Sequence, residues 1–152
     1  MADRELYVKA LRTSVQEFER VRKEHPWPDM DLSGADLSHC DLRNAQFGRI
    51  NFEGADFSHS DLSHTNLNSA NIKKAKFFKA KAIGVSIHKA EMEGADFTGA
   101  IVGGMEQDGR MCLNSTSFKN VRWGKEQLEY YLSILNQNDN WEIKYQIVPK
   151  RK

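Results

Sequence analysis

The chain has 152 residues, 39% of them hydrophobic and 28% charged, and its formal net charge is +1. The length suits one domain, and a charge sum near zero gives no general attraction for nucleic acid or a membrane surface. The sequence has no run of eighteen apolar residues, and its first residues are charged rather than apolar. We therefore predict a cytoplasmic protein without a membrane span or a signal peptide.

The first predicted element is an amphipathic helix over residues 3–25. Asp3 is a plausible N-cap, and the helix is expected to end before Pro26. Apolar side chains recur near one face of this helix, namely Tyr7, Leu11, Val15, Phe18 and Val21.

From Met30 to about Gly104 the sequence repeats every five residues, as in MDLSG, ADLSH and CDLRN. The first residue of a unit is small or apolar, the second is mostly Asp or Asn, and the third is large and apolar in fourteen of fifteen units. The exception is Ala82. A period of five matches neither a regular helix nor a flat strand. If the first and third residues point inward, each unit forms one side of a coil, and successive coils stack.

These units resemble the A(D/N)LXX motif of the pentapeptide-repeat family. The resemblance implies an all-β solenoid, a right-handed quadrilateral parallel β-helix with four units in each coil. Residues twenty positions apart are then neighbours in adjacent coils. One such column contains Leu37, Phe57, Phe77 and Phe97, whose rings are expected to stack at the inter-strand spacing of about 4.8 Å.

A glycine-rich polar loop at residues 103–110 interrupts the repeat. We interpret it as a tolerated insertion or as a recognition loop. The repeat resumes weakly around Leu113, Phe118 and Trp123, so the β-helix is predicted over residues 30–123. Phe118 is expected to continue the phenylalanine column.

Residues 124–152 follow the repeats, with a predicted helix at 125–136 and an alternating strand at 141–147. An open terminal coil exposes an apolar centre and unpaired strand edges. We therefore interpret both terminal segments as caps on one domain that spans residues 1–152. A partner-binding role for the first helix, and a homodimer interface formed by the C-terminal segment, are the alternatives.

The sequence lacks a P-loop, GxGxxG, GxSxG, HExxH or paired CxxC motif. The recurrent carboxylates follow from the repeat, so their number does not indicate acid–base catalysis. His39 and His59 share a column, but they lie at outward positions without a closed ligand set. Cys40 and Cys112 are predicted to be free thiols. We predict no enzymatic activity, no metal and no cofactor.

The candidate contact with a partner consists of Phe78, Ile83, Lys76, Lys79 and Lys81. The two apolar residues follow inward positions, so they are expected to face outward among the lysines, as at many protein contacts. The lysines alternate with acidic residues of neighbouring coils, which favours a charge ladder over a polyanion site.

The predicted function is that of a non-enzymatic protein–protein interaction module with an unidentified protein partner. The family resemblance supplies an alternative, a DNA-mimicking protein that binds topoisomerase (gyrase), of the antibiotic-resistance type. Such mimicry requires a strongly negative rod. Here lysines interrupt the acidic columns, and binding of nucleic acid itself is not expected either.

Overall fold

The computed structural model describes residues 2–103, 121–125, 128, 129, 132 and 133. Two helices, α1 (Ala2–Thr13) and α2 (Val15–Glu24), precede a β-helical solenoid. Its strands are short: β1 (Lys81–Ile83), β2 (Asp96–Phe97), β3 (Ile101–Gly103) and β4 (Arg122–Trp123). Strand β1 pairs with β3 and β2 pairs with β4, and both pairs are parallel. No helix among the described residues is long and apolar enough to cross a membrane.

Each coil of the solenoid takes twenty residues. Ten isolated parallel bridges join residues that are twenty positions apart, from Asp31 with Asn51 to Lys76 with Asp96. Four units therefore make one coil, as the sequence period predicts. We number the sides of the first coil from the units that begin at Met30, Ala35, Cys40 and Ala45, and later coils keep the same order.

The first and third residues of each unit point inward, as predicted, and are buried from Met30 to Phe97. Between units the chain turns sharply, and the Ala55 N–H donates to the carbonyl of Phe52 at 2.9 Å. The fifth residue has positive φ in all fourteen units from Gly34 to Gly99, as the third position of a type II turn requires. Nine of these residues are not glycine, and each accepts a cost of about 1–2 kcal/mol. The packed coils must outweigh that cost.

The Asp or Asn at the second position binds the backbone of its own unit. Its side-chain oxygen accepts the N–H of the fourth residue, for example from Ser33 to Asp31 and from Ser58 to Asp56, each at 2.9 Å. The same bond recurs at Asp36, Asp41, Asn51, Asp61, Asn66, Asn71 and Asp96. In these units the fourth N–H is the one that neither the ladder between coils nor the turn uses. The second residue therefore satisfies a backbone donor that would otherwise depend on water.

Aromatic rings stack along the axis of the second side. The centroids of Phe57 and Phe77 are 5.0 Å apart, and those of Phe77 and Phe97 are 4.4 Å apart with planes 5° from parallel. The ring of Trp123 lies 4.9 Å beyond Phe97. The inward phenylalanine column is thus present, and its spacing follows that of the strands.

The prediction that Phe118 continues this column is wrong. Trp123 lies opposite Phe97 in the pairing of β2 with β4. The two residues are twenty-six positions apart, so the insertion adds six residues to one coil, where the repeat pattern had suggested one. Large apolar residues stand at several positions after the loop, and only the strand pairing decides which one enters the column. Phe118 itself lies outside the described residues.

Ala82, the small residue at a third position, leaves a cavity of about 10 Å³ in the core. The pairing of β1 with β3 continues in register past it, so the backbone does not bulge. The lining is apolar and consists of Leu62, Leu67, Phe77, Val85, Ile87, Met92 and Phe97. A space of this size holds at most one water, and an apolar lining favours an empty cavity.

The single helix predicted over residues 3–25 is instead two helices. The chain is extended at Ser14, and the Ser14 side chain caps α2 by accepting the Glu17 N–H at 3.0 Å. Apolar side chains keep the helical spacing across this break, so the period alone does not reveal it. Helix α1 begins at Ala2, which places Asp3 in its first turn and not at its N-cap. Helix α2 ends at Glu24, before Pro26 as expected.

The two helices cover the apolar centre of the first coil. Tyr7 packs on Phe18 with ring centroids 5.8 Å apart, and Phe18 packs edge-on against Phe47 of the coil at 5.7 Å. The Tyr7 hydroxyl donates to the carbonyl of His25, which ties α1 to the end of α2. All three rings are buried. This packing removes from water the surface that an uncovered coil would expose.

Arginines of the helices also bind the open strand edge. Arg4 donates to the carbonyl of Ser33 at 2.6 Å, and Arg12 donates to that of Asp36 at 2.9 Å. Arg22 reaches the fourth side in the same way, at the carbonyl of Gln46. In later coils the corresponding carbonyls accept N–H groups from the preceding coil. The arginines therefore supply donors that a missing coil would have supplied.

After the loop, the structure describes β4 and the start of the C-terminal segment. Lys125 and residues 128, 129, 132 and 133 are helical, and the Leu128 N–H donates to the carbonyl of Gly124 at 3.1 Å. Gly103, the first residue of the predicted loop, belongs to β3. The rest of that loop, Cys112 and the strand predicted at 141–147 lie outside the described residues.

Replacing Phe77 by Ala is expected to lower the free energy of unfolding by about 3–5 kcal/mol, because it removes a buried ring between two others. Urea denaturation measures the change. Phe78→Ala is the matched control, since it removes the same side chain one position along, from the surface. Its cost is expected to be small, about 0.5 kcal/mol. Equal losses in the two variants would contradict the inward assignment.

Candidate partner-contact site

The five residues of the predicted contact lie on the second and third sides of the third coil. Phe78 and Ile83 occupy fourth positions, at the start of two successive corners. Phe78 is 40% exposed, whereas Ile83 is half-buried. The outward direction predicted for Phe78 is therefore observed, and that of Ile83 only in part.

Phe78 and Lys79 form one cluster at the corner between these sides. The Lys79 ammonium lies 5.1 Å from the centroid of the Phe78 ring, within the range of a cation–π contact. His59 of the preceding coil packs edge-on against the Phe78 ring, with the two ring centroids 5.7 Å apart. No acidic partner of Lys79 is found among the described residues. This corner thus combines an exposed ring with a cation that no acid in the described part of the chain pairs with.

Unlike Lys79, the lysines at positions 76 and 81 form ion pairs within the described part of the chain. Lys76 lies 3.6 Å from Asp56, and Lys81 lies 3.3 Å from Asp61. Both acids stand in the preceding coil at the same position of the repeat. The structure therefore favours the charge ladder, in which neighbouring strands support each other by roughly 0.2–1 kcal/mol for each pair.

Ile101 belongs to the same surface and was missed by sequence reasoning. It is 59% exposed and pairs with Lys81 across β1 and β3. The signal was present in the sequence, because the unit AIVGG carries Ile at the second position, where Asp or Asn usually stands. Since second positions face outward, an apolar residue there predicts an exposed side chain.

The carboxylates on these two sides are neutralised by nearby cations. Asp36 lies 3.4 Å from Arg12, and Asp96 lies 3.3 Å from Arg122. Asp41 is paired with Arg43 of its own unit. Together with the two lysine pairs, every second-position aspartate described on the second and third sides has a basic neighbour. The described parts of these two sides therefore carry mixed charge, with acidic and basic side chains paired.

Hydrogen bonds hold these carboxylates in the ionised form. The hydroxyl and N–H of Ser38, with help from Arg12, lower the pKa of Asp36 below its ordinary value. Burial by itself would raise the pKa of Asp56, but the hydroxyl and N–H of Ser58 and the charge of Lys76 outweigh it and lower the pKa. The cause is the repeat geometry, because the fourth residue donates to the second.

Two histidines stack on the corner next to Phe78. The rings of His39 and His59 have centroids 4.8 Å apart and planes within 5° of parallel. No three His, Cys, Asp or Glu side chains converge as a metal site within the described part of the chain. His64 lies on the following corner and does not join the stack.

The sequence model for pentapeptide repeats matches eight copies in this chain, over residues 31–68 and 45–81. The matched units are those whose first and third residues form the core described above. Residues 31–81 therefore consist of pentapeptide repeats.

Solved pentapeptide-repeat structures resemble the chain at low identity. The protein Rfr23 of Cyanothece 51142 is 25% identical over 62% of this chain, with a TM-score of 0.46, and the match spans 57% of its own length. A protein of the Arabidopsis thaliana thylakoid lumen is 22% identical over 69% of this chain and 76% of its own, with a TM-score of 0.29. QnrB1, a plasmid-mediated fluoroquinolone resistance protein, is 14% identical over 69% of this chain and 84% of its own, with a TM-score of 0.27. No curated protein matches the sequence. The likeness to pentapeptide-repeat proteins therefore depends on the repeats themselves.

Acid is expected to destabilise this pentapeptide-repeat protein through its second-position aspartates. Their pKa values are lowered in the folded state, so the stability they contribute is present above the unfolded value of about 3.9 and is lost as pH falls through the folded values. Urea denaturation between pH 7 and pH 3 measures the loss. In Asp56→Asn the amide oxygen still accepts the Ser58 N–H but does not titrate. The pH dependence of this variant should be shallower, and a curve parallel to that of the unmodified protein would contradict this explanation.

Proposed function

We propose that the chain is a non-enzymatic protein–protein interaction module. Its scaffold is a right-handed quadrilateral pentapeptide-repeat β-helix, closed by the N-terminal helices and by the segment at 124–152. The observation that carries the proposal is the exposure of Phe78 and Ile101, with half-buried Ile83 at the next corner, on coils whose other outward residues are mostly polar. Exposed apolar residues with a charged rim are typical of protein contacts.

The chemistry of this surface suggests what a partner presents. Phe78 and Ile101 offer apolar area, and Lys79 offers a positive charge that no described acid neutralises. A partner that places an apolar side chain on Phe78 and a carboxylate near Lys79 would satisfy both. Lys76 and Lys81 form the rim, where their pairs with Asp56 and Asp61 contribute little to affinity.

The rigidity of the scaffold supports a binding role. Each side is fixed by backbone bonds to its neighbouring coils, as in the Phe77 N–H to Asp96 carbonyl bond of 2.7 Å. Side chains on such a frame are held in place before a partner arrives, which reduces the entropy lost on binding. The second-position carboxylates also serve the backbone and the ion pairs, so they are not free for acid–base chemistry.

Affinity capture from the native host tests the contact surface. The unmodified protein is expected to retain a specific protein, identified by mass spectrometry, whose affinity for the purified module falls at least tenfold in Phe78→Glu and further in Phe78→Glu/Ile83→Glu. His88→Glu is the matched control, since His88 is exposed at the same repeat position of the same coil on another side. A partner that binds both variants and the control equally well would refute the proposed surface.

The DNA-mimic alternative lacks the surface that it needs. Mimicry of duplex DNA requires a continuous negative ridge, whereas Lys76, Lys81, Arg12 and Arg122 interrupt the acidic columns of the second and third sides. Supercoiling by gyrase is therefore expected to be unaffected by micromolar concentrations of this protein, as a gel assay of plasmid topology measures. Inhibition that disappears when Asp36, Asp56 and Asp61 are replaced by Asn would restore the alternative.

A further inference from the structure

The stacked histidines form a structure that the proposed contact does not use. His39 and His59 occupy the fifth positions of successive coils at the corner between the second and third sides. Both residues are exposed. Their backbones are fixed on either side, because the His39 N–H donates to Ser58 and the His59 N–H donates to Phe78, each at 3.0 Å. The two imidazoles are therefore held next to each other by the ladder of the solenoid.

The arrangement leaves the nitrogen atoms of both rings available. Stacking covers the ring faces, whereas Nδ1 and Nε2 lie at the ring edges and have no hydrogen-bond partner among the described residues. Of the five histidines in the chain, these are the two whose rings contact each other. His25, His64 and His88 have no such imidazole neighbour within the described residues.

We propose that His39 and His59 together bind one divalent transition-metal ion of the kind that prefers imidazole, such as Ni²⁺ or Zn²⁺. Neutral imidazole is the commonest protein ligand for these ions. Water completes the coordination, since no third side chain converges on the pair.

One ion can bridge the pair once both rings turn out of their parallel stack, because the nitrogen lone pairs lie in the ring planes. Metal–nitrogen bonds of about 2.0–2.1 Å require the two ligating nitrogens to lie within roughly 4 Å of each other. The ring centroids are 4.8 Å apart and the ring planes are 5° from parallel, so both exposed side chains must rotate until a nitrogen of each ring faces the same ion. The backbone need not move. Asp36 adds a nearby negative charge, because its carboxylate lies close enough to His39 to interact with it electrostatically.

A bound ion would join the first coil to the second through side chains. It would stand beside Phe78, whose ring contacts His59, yet the site does not depend on the proposed partner contact. Because the pair is held together in the folded chain and separated in the unfolded chain, the ion is expected to raise the melting temperature, and well above the dissociation constant the stabilisation grows with the logarithm of the ion concentration.

Titration of the full chain, without an affinity tag, tests the site. Isothermal titration calorimetry with NiCl₂ or ZnCl₂ is expected to give one ion per chain, and thermal unfolding is expected to shift upward and to return after addition of EDTA. His39→Asn and His59→Asn are each expected to weaken binding at least tenfold and to abolish the thermal shift. Mg²⁺, which prefers oxygen ligands, is expected to produce neither effect.

His64→Asn is the matched control, because His64 occupies the same position of the repeat without a stacked partner. Asparagine is suitable in all three variants, since Asn44 already adopts positive φ at a fifth position. Circular dichroism checks that each variant folds before titration. The absence of binding up to 1 mM metal, loss in only one of the two stacked variants, or an equal loss in His64→Asn would each overturn the proposal.

Discussion

The ladder of backbone hydrogen bonds between coils twenty residues apart is the constraint on which the rest of the structure depends. It requires the chain to turn after every fifth residue, and each turn requires positive φ at the fifth position. It also leaves the N–H of the fourth residue without a backbone partner. An Asp or Asn at the second position accepts this N–H. Both the five-residue period and the preference for Asp or Asn therefore follow from backbone hydrogen bonding.

The first coil is an open end of this hydrogen-bond ladder, and an open end must be covered. The first coil has carbonyl groups that no earlier coil can bind, and its centre is apolar. Helices α1 and α2 solve both problems, since Arg4, Arg12 and Arg22 donate to the edge while Tyr7 and Phe18 cover the centre. The arginine side chains replace the backbone N–H donors of a missing coil. The N-terminal helices thus satisfy specific carbonyl oxygens of the first coil as well as covering it.

The same regularity determines which surface residues stand out. Outward positions are occupied by residues that serve the backbone or pair with charges in the next coil, so most of the surface has an internal explanation. Three residues do not fit this explanation as well, namely Phe78, Ile101 and Lys79. The coils hold these residues at fixed spacing, and we propose that a partner recognises them. The His39–His59 stack stands out in the same way.

The sequence by itself determined the coil length, the inward residues and the outward direction of Phe78, because a strict five-residue period admits one set of inward positions. It could not determine where irregular segments rejoin that period. Trp123, and not Phe118, continues the aromatic column, and Ser14 divides the first helix, since strand pairing and a local cap decided these points. It predicted that Lys76 and Lys81 pair with acids of neighbouring coils, but it could not show that Lys79 lies over the Phe78 ring. That contact depends on the directions of the two side chains, which only the tertiary structure sets.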